Sequence, residues 1–367
     1  MLNGQRSTLN SELDVGLWAS DVERLLQPIA TPKKIRAFQR SLLAWYGRHG
    51  RDLPWRRTRD PYAILVSEFM LQQTQVITVI PYYHEWVHRF RDFSALARAS
   101  ENDVLHAWQG LGYYARARNL HATARILADR YRGRFPRSVR KMQQLPGIGK
   151  YTAHAVASFA FNQSVPIVEA NTARVLTRLF NFRGSIESPA GRTTLWEYAV
   201  SLLPKSNARI YNSALIDLGA LICIPREPKC DICPVKKFCL AKNPETLPVR
   251  KSRSRITRLV ENHAFVVRQG KIWLEQSYKR WRGMWILPPL RTDPLNGRPI
   301  YRSIFPFTNH RVELNVYARR RRKIDDYSQR WISIDCLESI PIPSPHRQAM
   351  RYLLSEATAT RPRRQQW

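Results

Sequence analysis

No run of 18 apolar residues occurs in this chain, which excludes a helix of the usual length for crossing a bilayer. Acidic residues are scarce. There are 28 Asp and Glu against 60 Lys and Arg in 367 residues, a net charge of +32. An excess of that size does not suit an enzyme of small neutral metabolites; it points to a polyanion, nucleic acid above all. The plainer alternative is a soluble basic surface. Cysteine is scarce as well. Four of the five lie between Cys223 and Cys239, and Cys336 stands alone. Such clustering argues against a disulfide framework and for a metal site in a reducing compartment, so the expected location is cytoplasmic, associated with the nucleoid. The first residues carry Glu12, Asp14, Asp21 and Glu23 and lack an apolar signal core, which argues against secretion. No internal repeat is present.

What is present suffices for ordinary cores: 44% of residues are hydrophobic, and the length predicts two domains. The fold class expected is mainly α, followed by a small α+β domain. Residues 1–33 read as an N-terminal extension and 34–242 as a helical domain. Residues 243–255 read as a basic linker, 256–357 as the α+β domain and 358–367 as a basic tail. In the helical part, "KIRAFQRSLLAWYGRHG" ends at Gly50, a C-cap signal. A long apolar pattern starts at Pro61 and is expected to break at Pro81. Beyond Ile256, "VENHAFVVRQGKIWLEQSYKR" reads as strand, Gln269-Gly270 turn, strand, and "SPHRQAMRYLLSEA" as a last helix.

Four stretches carry chemistry. In "LPGIGKYTAHAV" a Gly-x-Gly turn, Gly147 to Gly149, leads into a helix. Such a turn aims backbone N–H groups at an anion, and Lys150 adds charge, so one DNA phosphate fits there. The alternative is a plain packing element. Cys223, Cys230, Cys233 and Cys239 form a set that binds zinc or an iron–sulfur cluster. There is one CxxC knuckle and not two, which suits a [4Fe-4S] cube better than zinc. Arg226, Lys229, Lys236 and Lys237 lie in or beside that loop, where they would meet phosphate.

In "SEFMLQQTQV" Glu68 stands among Ile64, Leu65, Phe69, Met70 and Leu71. A carboxyl in such company loses hydration, so its pKa should rise and it could act as a general acid. The competing reading is an exposed Glu on an amphipathic helix. Gln72 and Gln73 are surface residues or polar wedges into a base stack. In "LGYYARARNL" an aromatic pair on a Gly turn precedes Arg116 and Arg118, a flat wedge beside charge expected to bind phosphate. Tyr114 is expected in the core. Finally, an apolar run, Val165 to Val168, feeds Glu169 at a helix start, where the dipole should favour its anion.

Taken together and in this order, these motifs resemble the helix–hairpin–helix DNA glycosylases, and among them the adenine glycosylases of the MutY type. The likeness runs from about Arg51 to Ala241 and is dense in "DLPWRRTRDPYAILVSEFMLQQTQVITVIPYY", "WQGLGYYARARNLH" and "LPGIGKYTA". It implies a two-lobed helical glycosylase domain with a [4Fe-4S] loop, then a Nudix-like domain that reads the lesion. It implies a partner, double-stranded DNA with an A:8-oxoG or A:G mispair, no membrane, and a monomer. The base would be flipped out and its N-glycosidic bond hydrolysed in base excision repair.

By this resemblance Glu68 protonates adenine at N7, and Glu169 stabilises the sugar cation. Asn171 positions a water or the acid. Trp55, Arg56 and Leu71 surround the adenine. Gln73 and Tyr113 wedge into the duplex, and Gly147, Gly149 and Lys150 hold phosphate. Tyr151 stands where strand-cleaving relatives of the endonuclease III type carry a lysine nucleophile. A tyrosine forms no Schiff base, so the enzyme is expected to be monofunctional. The rivals are a thymine or other mismatch glycosylase of the same fold, and a non-catalytic lesion-binding protein, against which Glu68 argues.

Two departures stand out. The family has Asp-Gly-Asn where this chain has Glu169-Ala170-Asn171, a carboxylate reaching one methylene farther. In the C-terminal domain, "RWRGMWILPP" resembles the opening of the Nudix-like domain, but no Glu-rich catalytic box follows and the stretch up to "PFTNHRVEL" is short. The lesion-reading loop is then Phe307-Thr308-Asn309-His310, with Asn309 or His310 placed to bond an 8-oxoguanine edge. The arginines from Ala318 to Lys323 would hold phosphate.

Overall fold

The computed structural model describes residues 31–250, 256–290, 297–319 and 328–359. Nearly all of the N-terminal extension, the end of the basic linker, most of the arginine run before Lys323 and the basic tail past residue 359 lie outside the described residues. The chain divides into two compact units, each built from two segments. One holds residues up to Arg57 with Ala153–Lys251; the other holds Thr58–Thr152 with Ser252 onward.

In the first unit, helix α1 (Pro32–His49) starts at Thr31, whose hydroxyl accepts from the Lys34 amide, with Pro32 in the first turn. It ends at Gly50, which is extended, not left-handed. In the second unit, α2 (Pro61–Leu71) is capped by Asp60. The break expected at Pro81 falls earlier, at residues 72–75, and α3 (Val76–Arg89) runs straight through Pro81. The proline costs little there. The carbonyl its missing N–H would have met belongs to Ile77, a residue open to water. Then come α4 (Phe93–Arg98), α5 (Glu101–Ala107), α6 (Ala115–Tyr131) and the short α7 (Val139–Met142).

Helix α8 (Lys150–Phe161) begins in the second unit and continues in the first. The first unit closes with α9 (Ala170–Leu179), α10 (Pro189–Ser201), α11 (Ala208–Asp217) and a π-turn, Leu218–Ile222. Phe38, Leu42, Leu176, Leu179, Tyr211 and Leu215 are among the residues of its core. Each large apolar side chain fully buried in this way contributes roughly 1.5–3 kcal/mol. The segment from Pro244 to Leu247, expected as linker, is bound to this unit: Arg178 donates to the carbonyls of Pro244 and Leu247.

The C-terminal part has strands β1 (Thr257–Phe265), β2 (Val267–Arg268), β3 (Lys271–Gln276), β4 (Trp285–Ile286), β5 (Tyr301–Phe307), β6 (His310–Ala318) and β7 (Gln329–Ser333), then helix α12 (Ser344–Ala359). One sheet has the order β1-β6-β5. The other is β2-β3-β4, with β7 also paired to β3. The Gln269-Gly270 turn is present, both residues at positive φ. Strand β6 pairs in parallel with β1 and antiparallel with β5. Helix α12 packs Ala349, Met350 and Leu353 on Leu274, Leu287, Leu314 and Val316. This α+β part and residues 58–152 make one compact unit.

Candidate functional site

Every residue of α2 from Tyr62 to Met70 except Ala63 is buried. A helix buried on nearly all sides leaves its one carboxylate little contact with bulk water. Glu68 is accordingly 5% exposed, and the surface reading of this residue does not hold. Leu71, half-buried, is the last helical residue, and Gln73 follows, exposed and left-handed at φ 57. Tyr113 is exposed and left-handed too, at φ 47. Left-handed backbone is uncommon outside Gly, Asn and Asp. Both residues expected to enter the duplex therefore adopt it.

Arg116 explains how these two turns are held. The sequence reading made it a phosphate ligand, but it is buried and bonds to backbone. Its guanidinium donates to the carbonyls of Phe69 (2.9 Å), Met70 (2.8 Å) and Gln72 (2.5 Å), the open end of α2. It also donates to Leu111 (2.9 Å) and Gly112 (3.0 Å), in the turn that carries Tyr113. The charge lies 5.7 Å from the Tyr113 ring centre. Burial lowers its pKa to about 10, so it stays charged at neutral pH. Arg118 donates to the Arg282 carbonyl at 2.9 Å.

The Gly-x-Gly turn packs on the same helix. At Gly147, φ is 75 and an added Cβ would sit 2.8 Å from the Asn119 Cβ and 3.0 Å from the Phe69 ring, so only glycine fits. Gly147, Gly149 and Lys150 are exposed, as a phosphate contact requires, and Tyr151 is half-buried.

A cavity of about 250 Å3 lies in the same unit. Gly110 to Tyr114 form one wall; Trp281, Phe307, Thr308, Ser344 and Pro345 are on the other. The register of the loop expected to read the lesion is fixed here. Phe307 pairs with His310, so Thr308 and Asn309 are the exposed tip of a two-residue hairpin turn. Thr308 is left-handed at φ 50, rare for a β-branched residue. His310, one of the two candidates for reading a base, bonds through Nδ1 to the Thr257 hydroxyl.

In the first unit Glu169 caps α9. Its carboxylate accepts from the amides of Asn171 and Thr172, both at 2.8 Å, and the Thr172 hydroxyl accepts from the Glu169 amide. This is a reciprocal capping box. The expectation that the helix end would settle its charge needs correction. Glu169 is half-buried by accessible surface but densely surrounded. That burial pushes its carboxyl above the usual range, against the pull of the two amides, Arg174 and Arg51. The Asn171 side chain accepts from Arg174 at 2.9 Å.

Trp55 is buried. Arg56, expected beside a base, turns instead to Asp217, donating to its two oxygens at 2.7 and 2.8 Å. Arg51 also bonds Asp217. Burial would raise this carboxyl, but its bonds to Arg56 and Arg51 outweigh it and hold it low.

Helix α9 reaches the cysteine loop through two buried arginines that sequence reasoning missed. Arg174 donates to Cys223 O (2.7 Å) and Gly219 O (2.6 Å); Arg178 donates to Ile224 O (2.7 Å), Pro225 O (3.0 Å) and the Cys223 sulfur (3.3 Å). Their four-residue spacing was the available signal. None of the four cysteines of the loop is in a disulfide. Burial pushes the Cys233 thiol up to about 11, and the charges of Cys223, Cys239 and Cys230 add to it, so the four sulfurs are neighbours. Among the described residues, no three Cys, His, Asp or Glu side chains converge on a single ion. Four cysteines on one short loop are a donor set for a zinc ion or an iron–sulfur cluster.

Three kinds of comparison bear on this geometry. The family model "HhH-GPD superfamily base excision DNA repair protein" matches residues 66–199. The adenine DNA glycosylase of Buchnera aphidicola subsp. Acyrthosiphon pisum (strain APS) is 34% identical over 260 residues, 69% of this chain and 74% of that protein. The adenine DNA glycosylase of Homo sapiens is 43% identical over 218 residues, 57% of this chain but 40% of that protein. A solved structure of a thermostable thymine-DNA glycosylase is 36% identical with TM-score 0.53, covering 57% of this chain and 97% of that one.

Proposed function

Because the chain belongs to the adenine DNA glycosylase family, within the HhH-GPD superfamily, we propose that it binds duplex DNA and hydrolyses the N-glycosidic bond of adenine paired with 8-oxoguanine or guanine. The observation that carries this reading is Glu68, a buried carboxyl whose helix ends in the same arginine-held pair of turns that projects Gln73 and Tyr113.

Gln73 and Tyr113 enter the stack and help extrude the adenine. Glu68 gives its proton to N7. The bond from the sugar C1′ to N9 then breaks, and its electron pair leaves with the neutral base. Glu169, as an anion, stabilises the positive sugar. Water adds to C1′ and loses a proton, giving an abasic site. With Tyr151 and no lysine at that position, the strand is not cut. The cavity walled by the Tyr113 turn and the Phe307–Thr308 turn supports a lesion reader opposite the adenine.

Cys223, Cys230, Cys233 and Cys239 would hold a [4Fe-4S] cluster, which supplies a rigid, redox-capable scaffold. Around it, Arg226, Lys229, Lys236 and Lys237 would meet phosphate. The purified protein should be brown, with a visible iron–sulfur band; a colourless zinc protein overturns the assignment.

The likeness to the thymine-DNA glycosylase keeps a second reading, excision of thymine or uracil from mispairs with guanine. Single-turnover excision from A:8-oxoG, A:G, T:G and U:G duplexes separates the two. Release of adenine, fastest opposite 8-oxoguanine, is the expected result; faster release of thymine sinks it.

A further inference from the structure

We infer that a bond between Gln109 and Arg347 sets the width of the 250 Å3 cavity, and with it the preference for 8-oxoguanine over guanine opposite adenine; this rests on the reading that the opposite base enters that cavity. The Gln109 Oε1 accepts from the Arg347 guanidinium at 2.9 Å and from the Ile342 amide at 3.2 Å. Gln109 immediately precedes Gly110, which lines one wall. Arg347 stands two residues after Pro345, which lines the other. The contact therefore ties the wall carrying Tyr113 to the start of α12.

Arg347 is well placed to act as a fixed anchor. Its side chain is 13% exposed. The same nitrogen that meets Gln109 also donates to Leu337 O and Ile340 O, and the other terminal nitrogen meets Glu338. So the loop of residues 337–342 and α12 follow Arg347 as one body. His106, on α5, meets the Glu338 carbonyl at 2.7 Å, and Arg118 meets the carbonyl of Arg282, next to Trp281 of the cavity wall; the Gln109–Arg347 bond is the tie made between side chains. Neither Gln109 nor Arg347 lines the cavity, so they are positioning residues.

The chemistry explains why width matters. Guanine and 8-oxoguanine differ by one oxygen at C8 and one proton at N7. A pocket separates them only if its polar groups are held within hydrogen-bond reach of that edge, a tolerance of a few tenths of an ångström. A seam that loosens lets water stand in for the missing contact, and both bases then bind alike.

The test is single-turnover excision from A:8-oxoG and A:G duplexes by the full-length wild type, Gln109→Ala, Gln109→Glu and Arg347→Lys, with thermal melting of each. Gln109→Ala should lower the A:8-oxoG to A:G rate ratio about fivefold or more while the A:G rate stays within about twofold, the loss of one charge-assisted bond. Arg347→Lys, which keeps the charge but loses the planar fork, should do the same. Gln109→Glu keeps an acceptor for Arg347 and should keep the wild-type ratio. An unchanged ratio in Gln109→Ala, or an equal fall in Gln109→Glu, overturns the link alone. A wild type with no preference for 8-oxoguanine removes the cavity reading and the link with it.

Discussion

Glu68 and Glu169 are both carboxylates held by helices, and their surroundings could hardly differ more. Around Glu68 the helix is mostly apolar, and the backbone at its end is tied down by Arg116. Around Glu169 the carboxylate is itself the helix cap, and the helix behind it carries two more buried arginines to the cysteine loop. One acid lies on a helix of apolar residues; the other is wired into a polar framework. Apolar surroundings favour the protonated form of a carboxyl, whereas amide donors favour its loss. Yet burial raises the Glu169 carboxyl despite those donors. What the two regions share is the use of arginine. In a chain of charge +32, Arg116, Arg174 and Arg178 are buried and bound to carbonyls.

The strongest way to break the contrast is Glu68→Gln, which keeps shape and removes the proton donor. Adenine release under single-turnover conditions should fall roughly 10²–10⁴-fold with mispair affinity little changed. A variant as fast as wild type removes Glu68 from the chemistry. Arg116→Met comes next. It strips the α2 end and the Tyr113 turn of their common donor, and excision should fall about 100-fold as the wedge residues lose their aim. Melting temperature should also drop, since buried carbonyls are left unpaired. Retained activity with a lowered melting point would assign Arg116 to stability only.

On the other side, Gly219→Ala places a Cβ 2.8 Å from the Asn171 Cβ and 2.9 Å from its carbonyl oxygen. The start of α9 must shift, and a loss of about tenfold in rate is expected while binding persists. The pH profile sharpens the comparison further. If the anion of Glu169 is required, excision falls as pH drops through its raised pKa, so the acid limb lies above that of an ordinary glutamate. An acid limb at or below the ordinary position contradicts that role. The smallest effect belongs to Arg57→Ala. The Arg57–Asp52 pair is exposed on both sides, and neither melting nor excision should change measurably.

Much of this was legible in the sequence, because the motifs state local requirements. Gly147 is where only glycine fits, Glu169 is where a cap is needed, and Gln269-Gly270 is a turn by composition. What the sequence hides is destination. Arg116, Arg174 and Arg178 look like DNA-binding charge until burial and carbonyl partners are seen, and Arg56 until its pairing with Asp217 is seen. A guanidinium has the same letter whether it meets phosphate or backbone. The helix break was misplaced for a related reason. Pro81 removes one donor whose partner, near the helix start, is in water, whereas residues 72–75 must leave the helix so that Gln73 can turn.

The parallel pairing of β1 with β6 has a consequence for synthesis. Residues 266–309 must leave the ribosome before β1 finds its neighbour. Meanwhile its edge is open, and Ile256 and Val260 remain exposed even afterwards. A product truncated near residue 300 would thus carry a ready template for aggregation. The hairpin bearing Thr308 and Asn309 arrives with the strand that closes this edge, so a half-made chain has neither the sheet nor the tip.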